Sequence, residues 1–188
     1  RASRVAENIA AAERLRACYA LYRECLRTED PGADADPRPG YAVVDPFDVC
    51  ANLLVAEFAV SCGRAERMIS LAVDLTERYP ALLAALGEGR LDLQAVELLA
   101  RQMRTVDPAV LAEVQQEVVD DLLASLEAGE RPTAGAVRDR VDDVIRRFDA
   151  DGIRRRREDA SRDRGVTFHK DGDGMSTMRA TLTSGEAA

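Results

Sequence analysis

The sequence predicts a mainly α-helical fold, a multi-helix orthogonal bundle that ends in one small C-terminal β-hairpin. Apolar residues recur every three or four positions through most of the 188-residue chain, which is the period of amphipathic helices. Proline and glycine interrupt this pattern where helices are expected to end. Near the C-terminus the pattern changes to a β-prone run and a glycine-rich turn. Aromatic residues make up 4% and Trp is absent, so aliphatic side chains must form the core.

The first predicted element is an amphipathic helix within residues 1–28, which we treat as a separate unit. Residues 29–46 contain four prolines and two glycines and are predicted to be a Pro/Gly-rich linker. A second copy of the chain could cover the apolar stripe of the helix, so one prediction is a homodimer through this helix. The stripe consists of Val5, Ile9, Ala12, Leu15, Tyr19, Tyr22 and Leu26.

A helical domain is predicted over residues 47–163. Asp92 and Thr133 are expected to cap helices, and Asp107-Pro108 is the pairing of a cap with a proline at the first helical position. The predicted helices cover residues 47–61, 64–78, 81–86, 93–104, 108–128, 134–148 and 153–162.

Residues 164–188 are predicted to contain the hairpin and the start of a further segment. Val166-Thr-Phe168 is β-prone, Asp171-Gly-Asp-Gly174 has turn chemistry, and 175–182 alternate as a returning strand does. We expect Val166 and Phe168 to share one face, with Phe168 packed on the helices.

Targeting and redox signals are absent from the sequence. The chain opens without Met and holds no stretch of about 18 apolar residues, so we expect a cytoplasmic segment, cut at both ends, with no membrane contact. None of the four cysteines forms a C-x-x-C motif. We expect reduced, buried thiols and no zinc.

The residue inventory predicts that this segment is not catalytic. His169 is the single histidine, so neither a Ser–His–Asp triad nor a two-histidine metal centre can form. Phosphate-binding glycine loops are absent, which argues against a nucleotide cofactor. The Asp171-Gly-Asp-Gly174 run departs from a calcium loop at its fifth and sixth positions. We therefore predict no cofactor and no metal in these residues.

Charge is unevenly distributed along the chain. The formal net charge is −8, yet residues 146–164 hold eight arginines and five acids, or +3, which leaves −11 elsewhere. Residues 105–130 hold seven acids and no base, so they are not expected to face DNA. Arg154, Arg155, Arg156 and Arg157 could contact phosphates. Alternatively, these four wrap around a helix and pair with nearby acids.

A second candidate DNA contact lies in residues 55–69, which read as helix, short turn at 61–63, and helix. Arg64 and Arg67 fall at the start of the second helix, where helix-turn-helix proteins contact base edges. Any tightly turned pair of helices gives a similar pattern, so both interpretations stay open.

Three stretches, taken together, resemble the 13E12-repeat proteins, whose shared region is the domain of unknown function 222. They are VAEFAVSCGRAERMISLAVDLTERYPALLAAL (55–86), LGEGRLDLQAVELLA (86–100), and residues 148–188 with their arginine cluster and Asp173-Gly-Met175. The likeness is collinear over residues 47–188. Tyr79-Pro80, where Leu-Pro is commoner, and Cys62-Gly63 are small departures.

The resemblance implies a bacterial protein that continues into an HNH endonuclease domain, whose divalent metal would lie outside this segment. The segment itself is then expected to be a non-catalytic accessory region that helps to position the nuclease on DNA. The alternative is a protein–protein interaction or dimerisation module without DNA contact.

Overall fold

The computed structural model describes residues 2–28 and 45–182 of the chain. It is mainly helical, with a two-stranded antiparallel hairpin at the C-terminal end, as the sequence predicts. The elements are α1 (Ala2–Thr28), α2 (Pro46–Phe58), α3 (Cys62–Val73), a π-helical segment (Asp74–Arg78), α4 (Pro80–Gly87), α5 (Leu93–Gln102), α6 (Leu111–Glu127), α7 (Ala134–Phe148), α8 (Gly152–Arg162), β1 (Gly165–Lys170) and β2 (Ser176–Thr181).

Helix α1 belongs to the same core as the helices that follow it. It packs against α2, α3 and α4, and its inward side chains, including Leu15, Cys18 and Cys25, are buried with theirs. The structure thus joins α1 to the domain from which the sequence analysis separated it. The stripe proposed for a homodimer is largely covered by the chain itself, and only its ends, Val5 and Leu26, are clearly exposed.

Helix α4 connects the two halves of the bundle. It contacts α1 on one side and α5 and α6 on the other, while α7 packs on α5 and α6. Leu82 and Leu86 of α4 are fully buried, as are Leu99 and Met103 around α5. Burying each such side chain contributes roughly 1.5–3 kcal/mol, so this aliphatic centre holds the bundle together.

Several element boundaries differ from the prediction. The turn expected at 61–63 lies at 59–61, and α6 begins at Leu111 because residues 107–110 form turns first. Asp107 accepts from the amide of Ala109 instead of capping the long helix. The predicted linker lies outside the described residues over 29–44, while Asp45 caps α2 and Pro46 is its first residue.

The predicted helix over 64–78 changes to a π-helix at Asp74. The amide of Tyr79 donates to the carbonyl of Asp74 at 2.9 Å, five residues back. Pro80 follows, and the residue before a proline is disfavoured in the α conformation. Tyr79 accordingly leaves the helix with φ −124° and ψ 54°, and its side chain is buried.

The hairpin forms where it was predicted, but it does not pack on the helices. Phe168 pairs with Met178 and Val166 with Ala180 in the antiparallel register, so Val166 and Phe168 share a face as expected. All twelve strand residues are exposed, however. The expectation that Phe168 packs on the helices is wrong, because alternation fixes the face of a side chain and not what covers that face.

Three of the four cysteines, Cys18, Cys25 and Cys50, are buried thiols, as predicted. Cys62 is exposed, because it begins α3 and does not lie in a core position. Across residues 2–28 and 45–182, no single helix is long and apolar enough to cross a membrane. Only α2 taken together with α3 and the π-segment reaches that length and apolarity, and this pair is bent by 114°.

Candidate nucleic-acid interface

Helices α2 and α3 form a compact helix-turn-helix. Their axes differ in direction by 114°, within the roughly 90–120° typical of such units. Three residues separate them, and Ala59 ends α2 in the left-handed region at φ 50°, the conformation that usually favours glycine at this point. The turn predicted from the sequence is therefore present, shifted by two residues.

Arg64 and Arg67 lie on the exposed side of the first turns of α3. Ser61 precedes the helix but makes no side-chain cap, which leaves amides at this end for an outside acceptor. Acidic side chains stand close by. The hydrogen bond from Cys62 Sγ to Glu66 (3.2 Å) raises the pKa of that thiol, and the charges of Glu66 and Asp48 contribute further. These acids weaken the attraction of an anion.

Arg155 holds α8 to the rest of the molecule. Its Nε donates to the carbonyl of Thr105 at 3.1 Å, and its guanidinium pairs with the buried carboxylate of Asp149. Asp149 also accepts from the amide of Asp107 at 2.9 Å. Breaking a buried pair of this kind leaves an uncompensated charge, so Arg155 is a structural residue.

Arg156 makes a second internal attachment. It donates to the carbonyl of Gln102 at 2.9 Å and to Asp142 Oδ1 at 2.5 Å. Its side chain and that of Asp142 are each only 20% exposed. Arg155 and Arg156 are therefore not available for phosphate contacts, and for them the alternative of pairing with nearby acids describes the structure.

Arg154 and Arg157 remain on the surface of α8. Arg154 is 67% exposed and lies 3.2 Å from Asp151 and 3.9 Å from Glu158, both weak surface pairs. Arg157 is exposed and has no partner within the described part of the chain. Of the four consecutive arginines, these two can reach an external anion.

The two arginine groups lie on different elements of the fold. Arg78, at the end of the π-segment, donates to the carbonyls of Arg104 and Val106, on the loop that also receives Arg155. Arg67 lies eleven residues earlier in the same helical run, roughly 16 Å away at 1.5 Å per residue. Helices α3 and α8 are not among the closely packed pairs of the described residues, so the two arginine groups lie on separate elements.

The acids of α6 are partly neutralised by α7. Arg140 pairs with Glu130 at 2.8 Å and Asp121 at 3.9 Å, and Arg147 pairs with Glu117 at 3.0 Å. The hydrogen bond from Arg140 lowers the pKa of Glu130. This side of the molecule stays acidic, because these ion pairs neutralise only part of its carboxylates.

His169 lies on exposed β1, opposite Thr177. Among residues 2–28 and 45–182, no group of three or more His, Cys, Asp or Glu side chains is arranged to hold a metal ion. Sequence reasoning missed the role of Asp149, because six residues and a helix break separate it from Arg155. Local spacing rules report only partners three or four residues apart.

Comparison with known proteins identifies the family of the chain. No curated protein and no solved structure matches it. The family model described as a domain of unknown function (DUF222) matches residues 2–188. That match spans nearly the whole chain, and the chain therefore belongs to the DUF222 family.

Proposed function

We propose that this chain is the non-catalytic helical region of a bacterial, cytoplasmic HNH endonuclease-family protein and helps to position it on DNA. The observation that carries the proposal is the α2–α3 helix-turn-helix, with Arg64 and Arg67 exposed at the start of its second helix. This is the end of a recognition helix that contacts base edges in the major groove. Family membership is compatible with this role but assigns no function.

Exposed arginines on α8 would supply a second, sequence-independent contact. Arg154 and Arg157 can approach phosphates, whereas Arg155 and Arg156 are bound to carbonyl and carboxylate groups of the chain. The overall charge of −8 opposes binding, so the affinity of the isolated chain should be weak. We expect a dissociation constant in the range of roughly 10⁻⁴–10⁻⁶ M typical of non-specific DNA binding.

Fluorescence anisotropy with labelled duplexes at two salt concentrations tests this proposal. Replacing Arg154 and Arg157 by Ala should weaken binding to all sequences by a similar factor. The slope of log affinity against log salt should fall by roughly one unit for each lost phosphate contact. Replacing Arg64 or Arg67 should instead change the ranking of duplex sequences, because base contacts carry specificity.

Arg138→Ala is the matched control. Arg138 is an exposed arginine of α7 with no partner in the described ranges, so its loss removes the same charge from another surface. Binding should then change only slightly. If the wild-type chain shows no binding at low salt, or if Arg138→Ala weakens binding as much as the α8 variant, the proposal fails. A protein–protein interaction module would then be the better proposal.

A further inference from the structure

The three buried thiols lie together in the core, at the contact between α1 and α2. Cys18 and Cys25 belong to α1 and Cys50 belongs to α2, and these helices pack directly on each other. Each of the three side chains is at most 5% exposed. A hydrogen bond joins the thiols of Cys25 and Cys50, and Cys18 is close enough to affect Cys50 through its charge. Cys50 is therefore the common neighbour of both α1 thiols.

The geometry of α1 excludes a disulfide between its own two cysteines. Cys18 and Cys25 are seven positions apart, which separates their Cα atoms by roughly 10 Å at 1.5 Å per residue. A disulfide requires Cα atoms within about 7 Å of each other. In the folded chain, a disulfide within this cluster must therefore include Cys50. Of the two neighbours of Cys50, Cys25 is the one whose thiol is hydrogen-bonded to it.

We propose that Cys25 and Cys50 form a redox pair, which a small-molecule disulfide oxidises to a bond between α1 and α2 and which thiols reduce again. Cys50 lies on α2, the first helix of the helix-turn-helix, so the bond joins that unit covalently to the N-terminal helix. Disulfides in cytosolic proteins, where they occur, are usually transient and catalytic or redox-sensing. The oxidation involves no DNA and is independent of the proposed function.

The two thiols have different roles in the exchange. Burial is the main cause that raises the pKa of Cys50 to about 12, and the Cys25 and Cys18 thiols add to it. Cys50 thus stays protonated at neutral pH and does not attack first, because the thiolate is the nucleophile. Cys25 lies in the last turn of α1, three residues before the helix ends at Thr28. Helix ends open more readily than helix centres, and such an opening exposes Cys25 to the small disulfide.

The exchange balances with the external disulfide, RSSR, as the oxidant. The Cys25 thiolate attacks one sulfur of RSSR, the S–S bond of RSSR breaks, and one RSH leaves. Cys50 Sγ then loses its proton and attacks Cys25 Sγ, and the second RSH leaves. Two protein thiols are oxidised, one external disulfide is reduced, and both protons end on the two RSH molecules. Because little of Cys50 is ionised, the second step is the slow one.

Peptide mapping after oxidation of the folded 188-residue chain identifies the bond. Trypsin, which cuts after arginine except before proline, places the three buried cysteines in three different peptides: residues 17–23, 24–27 and 28–64 for Cys18, Cys25 and Cys50. The exposed Cys62 falls in the third peptide, so the experiment uses the variant Cys62→Ser. This chain is incubated with about 1 mM hydroxyethyl disulfide at about pH 8, the remaining thiols are alkylated, and the peptides are weighed.

We expect peptide 24–27 to be joined to peptide 28–64 in most of the oxidised protein, and dithiothreitol to restore both thiols. Closing a loop of this length should raise the thermal midpoint of the oxidised chain by roughly 5–10 °C. Cys25→Ala should lose this shift, because the attacking thiol is gone. Cys18→Ala is the matched control on the same helix and should still form the bond.

The unfolded chain gives a contrast that requires no variant of the pair. In about 8 M urea the shorter loop closes more readily, so Cys18 should be joined to Cys25 several-fold more often than Cys25 is joined to Cys50. Folding should reverse this preference. The proposal is overturned if the folded chain gives no joined peptides 24–27 and 28–64, if Cys50 is joined to Cys18 instead, or if the bond does not raise the thermal midpoint.

Discussion

The helical bundle and the hairpin bury their side chains to opposite extents, although one helix, α8, joins them. Around α4 and α5, Leu82, Leu86 and Leu99 are removed from water completely, while every residue of β1 and β2 is exposed. Both regions follow their expected hydrophobic periods. The difference shows that the spacing of apolar residues specifies the local structure and the side of the helix or strand on which they lie. Whether that side is buried depends on the rest of the fold or on a partner.

The largest difference in stability should be between two variants that each remove one apolar side chain, one from the bundle and one from the hairpin. Leu86→Ala should lower the free energy of unfolding by about 3 kcal/mol, because it removes buried methyl groups and leaves a cavity. Phe168→Ala removes a larger side chain but should change the free energy of unfolding by less than about 0.5 kcal/mol, since Phe168 is already exposed in the folded chain.

Urea unfolding followed by circular dichroism at low micromolar concentration measures both changes. If Phe168→Ala lowered the free energy of unfolding as much as Leu86→Ala does, the hairpin would have to pack on the bundle in solution.

An intermediate effect should separate two neighbouring arginines on α8. Arg156→Ala should lower the free energy of unfolding by about 2 kcal/mol, because it removes the hydrogen bond to the carbonyl of Gln102 and leaves Asp142, which is only 20% exposed, without its partner. Arg157→Ala should keep the free energy of unfolding within about 0.5 kcal/mol of the wild-type value. Equal thermal shifts for the two variants would show that α8 is not held in this way.

The smallest effect should be a dependence on alkaline pH that resides in the bundle. Burial, the main cause, and the neighbouring Cys25 and Cys18 thiols raise the pKa of Cys50 to about 12 from an ordinary value near 9.0. Above pH 9 the unfolded chain loses a proton that the folded chain keeps, so stability falls as pH rises from about 9 to about 12. Burial of Tyr79, whose pKa is also about 12, adds a loss that begins near pH 10.

Urea midpoints at pH 8, 9 and 10 measure this dependence. Cys50→Ala should flatten the decline relative to wild type. Cys62→Ala, which changes an exposed thiol outside the core, should affect it less. A decline of equal slope in Cys50→Ala would assign the pH dependence to other groups.

Much of the fold could be predicted because the helices are amphipathic and their ends carry ordinary signals. Asp92 and Thr133 cap α5 and α7 through bonds to the amides of Ala95 and Ala136, as their positions indicate. The helix-turn-helix and the hairpin were also placed within a few residues. In each case the information is local, within four or five positions.

The state of the arginine cluster could not be predicted, because the partners are remote in sequence. Arg155 and Arg156 reach carbonyls 50 and 54 residues away, and no local pattern distinguishes them from Arg154 and Arg157. For the same reason, the sequence could not predict whether another part of the chain packs on Phe168. Which chain element packs on a given face depends on the three-dimensional arrangement of the whole bundle.

The attachment of α8 to main-chain oxygens has an evolutionary consequence. Arg155 and Arg156 bind the carbonyls of Thr105 and Gln102, and every amino acid supplies a carbonyl. The side chain at 102 can therefore vary among homologues without loosening this contact, whereas the hydroxyl of Thr105 makes its own hydrogen bond to the carbonyl of Gly152, at 2.9 Å. The length of the connection between α5 and α6 cannot vary in the same way, because inserting or deleting one residue near 102–105 would move both acceptors at once. We expect homologues in which the α8 arginines persist to vary in residue type at 102 but rarely in loop length.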